Sequence, residues 1–182
     1  MKIEHPFLRY LAKLLVAFFI LYAGTFAWIG FAAPGGIYSP FIDQYLNYPA
    51  WLRASLLWGA RTLLQLFGYH PYKQDAHVLV LRYGISIRMV YACLGYGVMS
   101  LWGAFIFANR GSWQRKLKWI IGGWLTIWAI NVVRCSVYLI ALSKHTGMPF
   151  GMEVHTWFNV ISYLAIGLMV WVWDRGGKQI SN

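Results

Sequence analysis

Cys93, Arg134 and His155 are the residues of this chain whose types combine into a recognisable chemistry. A cysteine becomes an efficient nucleophile when a base takes its proton, and histidine is the usual partner, with a pKa suited to returning that proton to a leaving amine. A guanidinium supplies fixed positive charge for a developing oxyanion in a low-dielectric site. Together the three types point to acyl transfer. Each also has a plainer reading. Cys93 alone is a small apolar residue of a kind common in membrane helices. Arg134 alone is a cation snorkelling toward headgroups, and His155 alone is an interfacial anchor.

The neighbours of each residue bear on the choice. Cys93 lies in MVYACLGYG (89–97), where Gly95 and Gly97 let another backbone or a substrate come close. Arg134 sits inside an apolar run, at a cost of roughly 2.5–3.5 kcal/mol on insertion scales. Asn131, one turn before it, and Tyr138, one turn after it, share its helical face. His155 is followed by Asn159 and Ser162 at i+4 and i+7, a polar stripe on an otherwise apolar helix. Cys135 is the rival cysteine, but it adjoins Arg134 and so points about 100° away around a helix. A Cys93–Cys135 disulfide is conceivable in an oxidising compartment and would abolish the nucleophile. Glu153 is placed to orient His155, whereas His5, His70, His77 and His145 lack a comparable setting.

The elements that must position these residues are membrane helices. The 182 residues are 59% hydrophobic and 12% charged, with a mean hydropathy of +0.51. A soluble domain of this length carries roughly twice that charged fraction. Four apolar segments, 14–33, 90–108, 119–142 and 156–173, have the length to cross, or nearly cross, a hydrocarbon core of about 30 Å. The net charge of +11 does not read as a nucleic-acid footprint, because its cations follow the spans. The short stretch 109–118 holds four cations against one in 143–155, which orients the chain with both termini in the cytoplasm. Basicity then serves orientation and contact with anionic lipid. The first span reads as a retained anchor, since no small-residue cleavage pattern closes it.

The segment 51–68 has helical period but carries Arg53, Arg61, Thr62 and Gln65, which predicts an interfacial or partly re-entrant helix on the outer face. The stretch 78–90 is β-branched and alternating, with Ile85, Ile87 and Met89 on one face and Ser86 and Arg88 on the other. With Gly84 near its middle it predicts a small hairpin outside the hydrocarbon, since an open sheet edge cannot lie in lipid. The fold class expected is an all-α, four-span membrane protein forming one domain over 1–182, with that interfacial helix and β-like segment added. Span two then runs from outside inward and holds Cys93 in its first turn, where the helix dipole favours thiolate. Cys93, Arg134 and His155 fall in the outer half of the membrane, each on a different span.

With those residues set out, the chain resembles the exosortase/archaeosortase family of membrane cysteine transpeptidases over roughly residues 50–175. The resemblance rests on ACLGYG (92–97), the Asn-x-x-Arg of NVVRCS (131–136) and the histidine opening HTWFNVISY (155–163), in that order and spacing. It implies Cys93 as nucleophile, His155 as general base and acid, and Arg134 as oxyanion stabiliser or orienter, supported by Asn131 and Asn159. It implies a substrate whose C-terminal sorting signal, a short motif, a transmembrane helix and a basic tail, is cleaved on the extracytoplasmic side. The new carboxyl end passes through a thioester to water or to a lipid or polysaccharide acceptor. No metal, organic cofactor or nucleic acid is implied, and the location is the bacterial inner membrane. Many members carry Ser-Gly after the cysteine where this chain has Leu94-Gly95, and the compact Gram-negative type fits its length. The competing expectation is a non-enzymatic assembly or export subunit in which Arg134 is a structural contact between helices.

Overall fold

The computed structural model describes residues 6–33, 37–82, 84–144 and 154–178; within them, the side chains of residues 92, 154, 155, 157, 158 and 176–178 lie outside the described set. The described chain is mostly helical, with one small antiparallel sheet. Six α-helices run Pro6–Ala32 (α1), Pro40–Tyr45 (α2), Tyr48–Leu66 (α3), Tyr96–Ala108 (α4), Trp113–Lys144 (α5) and Val154–Lys178 (α6). Between α3 and α4 lie strands Tyr72–Lys73 (β1), Val78–Arg82 (β2) and Ile85–Arg88 (β3), then a 3-10 turn at Tyr91–Cys93.

Among the described residues, α1 and α5 are long and apolar enough to cross a membrane, and α4 is a shorter apolar helix. Ala32 is the only buried residue of α1, while Phe19 and Ile20 are 70% and 63% exposed. An apolar surface of that extent requires lipid or a protein partner.

Local chemistry sets the bounds of α3. Asn47 caps its N-terminus by accepting a hydrogen bond from the Ala50 N–H at 3.0 Å, and Pro49 occupies the first turn, where its missing N–H costs nothing. At the other end Gly68 takes φ +79°. Its N–H reaches Gln65 O, and that of Tyr69 reaches Leu64 O, the paired closure of a Schellman motif. The segment expected to be a helix over 51–68 is thus helical over 48–66. It buries Leu56, Leu57, Ala60 and Leu64 against α5 and the sheet.

The hairpin expected at 78–90 is present. β2 pairs antiparallel with β3 in the register Val78 with Arg88 and Val80 with Ser86, and Gly84 turns the chain at φ +79°. Exposure alternates along β3 as the sequence pattern requires, whereas Val78 to Leu81 of β2 are buried without alternation, covered on both faces. β1 is an additional edge strand, pairing Tyr72 with Val80.

Tryptophan N–H groups tie the helices together. Trp102 of α4 donates to Trp119 O, Trp124 of α5 to Met99 O, Trp128 of α5 to Ser55 Oγ on α3, and Trp28 of α1 to Leu46 O. An indole N–H in an apolar interior must find an acceptor, and main-chain carbonyls retain a free lone pair for one. Gly123 on α5 lets Trp102 lie directly against the helix backbone, a space that a Cβ would occupy.

One expectation needs correction. The segment 90–108 is not a continuous helix: α4 begins at Tyr96, after the 3-10 turn and a left-handed Gly95. Its 13 residues extend only about 20 Å at 1.5 Å per residue. Cys93 therefore lies ahead of α4 rather than in its first turn. The break is forced at Gly95, whose φ of +77° is incompatible with helix.

Candidate functional site

α5 divides its polar residues between two sides. Cys135 and Ser136 turn toward α3, where Cys135 is buried in the core cluster and Ser136 Oγ donates to Ala60 O at 3.3 Å and to Val132 O at 3.0 Å. Asn131 and Arg134 instead line a cavity of about 90 Å³ shared with α6 and the start of α4. The 100° step between adjacent residues produces this division, so Cys135 is excluded from the cavity by the placement of Arg134 in it.

α6 contributes Asn159 and Ser162 to the same cavity, and the Gly95 backbone contributes at the head of α4. Val98, Ile127, Ile130, Ile166 and Met169 supply apolar walls. A guanidinium, two carboxamides, the Ser162 hydroxyl and Tyr163 thus line one small space that can hold several waters or a single carbonyl group. Donors collected in an apolar enclosure are suited to an oxyanion, because charge is poorly screened there. Gly95 is required by contact as well as by φ: a Cβ on it would run into the Asn131 carboxamide. Tyr138, which shares the helical face of Arg134, is not among the cavity's lining residues.

Cys93 stands two residues before Gly95, at the end of the 3-10 turn, with its N–H bonded to Val90 O at 2.9 Å. It is half-buried and a free thiol, as Cys135 is. Its side chain packs on the core cluster formed by α3, the hairpin and α5, and it is not among the lining residues of the Arg134 cavity. The backbone of His155 is helical in the first turn of α6, one turn before Asn159. Its side chain lies outside the described set, and Glu153 and His145 lie outside the described residues altogether. The structure therefore brings together Arg134, Asn131, Asn159 and Ser162, with Cys93 close along the chain.

No family model, curated protein or solved structure matches this chain. What the site can do is therefore argued from its own residues. Among the described residues no group of His, Cys, Asp and Glu side chains could hold a metal ion.

One residue of this region escapes the reading of the sequence. Arg53 of α3 is only 4% exposed, and its guanidinium lies 4.5 Å from the centre of the Tyr91 ring, in the turn that carries Cys93. Among the described residues its Nε and Nη2 have no hydrogen-bond partner. A π face offsets part of the desolvation of a cation, though less than a carboxylate would. The sequence does carry a signal for it. Arg53, Leu56, Leu57, Ala60 and Leu64 recur at helical spacing, so a charge stands on the apolar stripe of α3.

Proposed function

We propose that this chain is a membrane-embedded cysteine protease/transpeptidase of the exosortase/archaeosortase type. It cleaves C-terminal sorting signals of exported proteins on the extracytoplasmic side of the bacterial inner membrane. α1, α5, α6 and the segment 90–108, in which the turn before α4 adds to that helix's length of about 20 Å, are the spans, both termini are cytoplasmic, and α3 with the sheet lies on the outer side. Cys93 attacks the scissile carbonyl, forming a thioester as the C-terminal tail leaves. His155 takes the thiol proton and returns it to the leaving amine. Water or a lipid or polysaccharide acceptor then takes the acyl group.

The observation that carries this reading is the cavity in which Arg134 is gathered with Asn131, Asn159 and Ser162, and whose wall at Gly95 is two residues along the chain from Cys93. It gives a developing oxyanion its donors at the head of α4. Arg53 supports the reading as a buried cation beside the cysteine turn.

The test is conversion of a co-expressed substrate bearing such a signal. Cys93→Ser and Cys93→Ala are expected to abolish processing, and Cys135→Ala to retain it. Unchanged processing in both Cys93 variants would sink the mechanism, and loss on Cys135→Ala alone would move the nucleophile. The absence of Cys93 from the cavity lining favours a second reading, a non-enzymatic assembly or export subunit in which Arg134 joins α5 to α6. Under that reading Arg134→Lys lowers protein level, and a thiol-reactive probe finds Cys93 inert.

A further inference from the structure

The opposite end of the bundle carries a second built feature. Arg9 and Lys13 of α1, Arg110 of the link between α4 and α5, and Arg115 of α5 line a cleft of about 540 Å³ with, among the described residues, one carboxylate, Asp174 of α6. Asn109 also faces it and is held by hydrogen bonds from its Nδ2 to Phe105 O at 2.8 Å and Tyr10 Oη at 3.4 Å. Arg115 stacks 4.3 Å from the Trp173 ring centre and donates to Trp173 O at 3.2 Å, so this wall of the cleft is fixed. Further aromatic rings cover neighbouring cations outside the cleft. Lys116 stands over Phe107 and Trp113, and Arg175 over Trp171 at 3.7 Å.

Tryptophan rings beside lysine and arginine mark the level of lipid headgroups, where an amphipathic ring has one end in hydrocarbon and the other in water. Among the described residues four cations face one carboxylate in this cleft, drawn from α1, α5, α6 and the α4–α5 link, and that excess of positive charge suits an anion that reaches it from the same level. We infer that this cleft binds the phosphate-bearing headgroup of an anionic glycerophospholipid and so holds α1 and α6 against the α4–α5 link. Charge complementarity selects the headgroup. The same charges repel a basic peptide tail. The site stands apart from the Cys93 region and owes nothing to the protease reading; it rests only on these helices lying in a membrane.

Purified protein in detergent, titrated with phosphatidylglycerol or phosphatidylcholine and read by native mass spectrometry, tests the site. The wild-type protein is expected to bind phosphatidylglycerol in preference to phosphatidylcholine. At about a factor of five for each cation removed, the Lys13→Gln/Arg110→Gln pair weakens phosphatidylglycerol binding on the order of 30-fold and leaves phosphatidylcholine unchanged. Lys118→Gln/Arg175→Gln, which removes two cations from the same face outside the cleft, retains the preference. The charge-conserving Lys13→Arg/Arg110→Lys pair also retains it. Should the neutralised pair fail to fold, the headgroup preference of the wild-type protein and the retention by the other two pairs decide. No headgroup preference in the wild-type protein, or equal loss in the control pair, overturns the inference. Displacement of the lipid by millimolar inorganic phosphate overturns it too, and makes a free anion the ligand.

Discussion

Replacing Gly95 by alanine tests the joint between the cysteine turn and the cavity. Gly95 holds φ +77° as the residue before α4, a conformation that costs an L-residue about 1–2 kcal/mol. The added Cβ would also collide with the Asn131 carboxamide, and it would touch Ile127 Cγ2 at 3.6 Å. Asn131 is buried, so it cannot swing into solvent, and overpacking of this kind costs about 1–3 kcal/mol. The expected destabilisation is therefore about 2–5 kcal/mol. Gly97, two residues on, is the internal control. It lies within α4 with no positive φ, and a Cβ there would meet only the Tyr22 ring edge at 3.4 Å. Gly97→Ala is expected to be neutral or to stabilise by up to about 1 kcal/mol. Unfolding in mixed micelles, followed by tryptophan fluorescence, gives both values. The Gly95→Ala/Asn131→Ala double variant separates the two causes, since it relieves the collision and leaves the backbone strain. A coupling of about 1–3 kcal/mol is expected between the two sites. Equal effects at Gly95 and Gly97 would refute the geometric argument. Additive single and double variants would show that Asn131 is not what the Cβ meets.

Three further outcomes follow from individual contacts. Arg53→Met keeps the side chain's length and removes a buried charge whose Nε and Nη2 lack partners among the described residues, so stability is expected to hold or rise by about 1–4 kcal/mol while substrate processing falls; a large loss of stability in the same unfolding assay would show that the cation is structural. Gly123→Ala drives a Cβ into the Trp102 indole and strains its hydrogen bond to Trp119 O, with an expected cost of about 2–4 kcal/mol and a shift in tryptophan emission. Asp75 accepts hydrogen bonds from the His77 N–H at 2.6 Å and the Val78 N–H at 2.9 Å, and the former above all holds its carboxyl below the ordinary carboxylate value. A lowered folded-state pKa contributes stability that is present above the unfolded value and is lost as the pH falls through the lowered one. Protection factors over β1 and β2, corrected for the intrinsic pH dependence of amide exchange, are therefore expected to fall as the pH drops through the lowered value, and Asp75→Asn should remove that fall.

How much of this was legible in the sequence varies by element. The helices were readable wherever one side of the chain is apolar over its whole length, because burial or lipid contact repeats each turn; α1, α5 and α6 extend the segments expected at 14–33, 119–142 and 156–173. The alternation of Ile85, Ile87 and Met89 likewise fixed which face of β3 is covered, since a strand has only two faces. The grouping of Asn131 with Arg134, and of Asn159 with Ser162, followed from helical spacing alone. Spacing along one helix does not say which other helix lies opposite. Only the packing of α6 on α5 put the two pairs around one cavity.

The start of α4 was misplaced for a related reason. VYACLGYG is apolar enough to continue a helix, and hydropathy does not register the positive φ that Gly95 must adopt against Asn131. That contact lies more than thirty residues away in the chain, beyond any local pattern. Arg53 stood in plain view on the stripe of α3, yet its burial depends on Tyr91 arriving from a different segment. The sequence by itself determined the periodic quantities: which residues repeat on one face, where charge interrupts apolar runs, and which short segments alternate. The tertiary structure alone decided which faces meet, because contact between segments depends on helix crossings and backbone turns that no single stretch of the chain encodes.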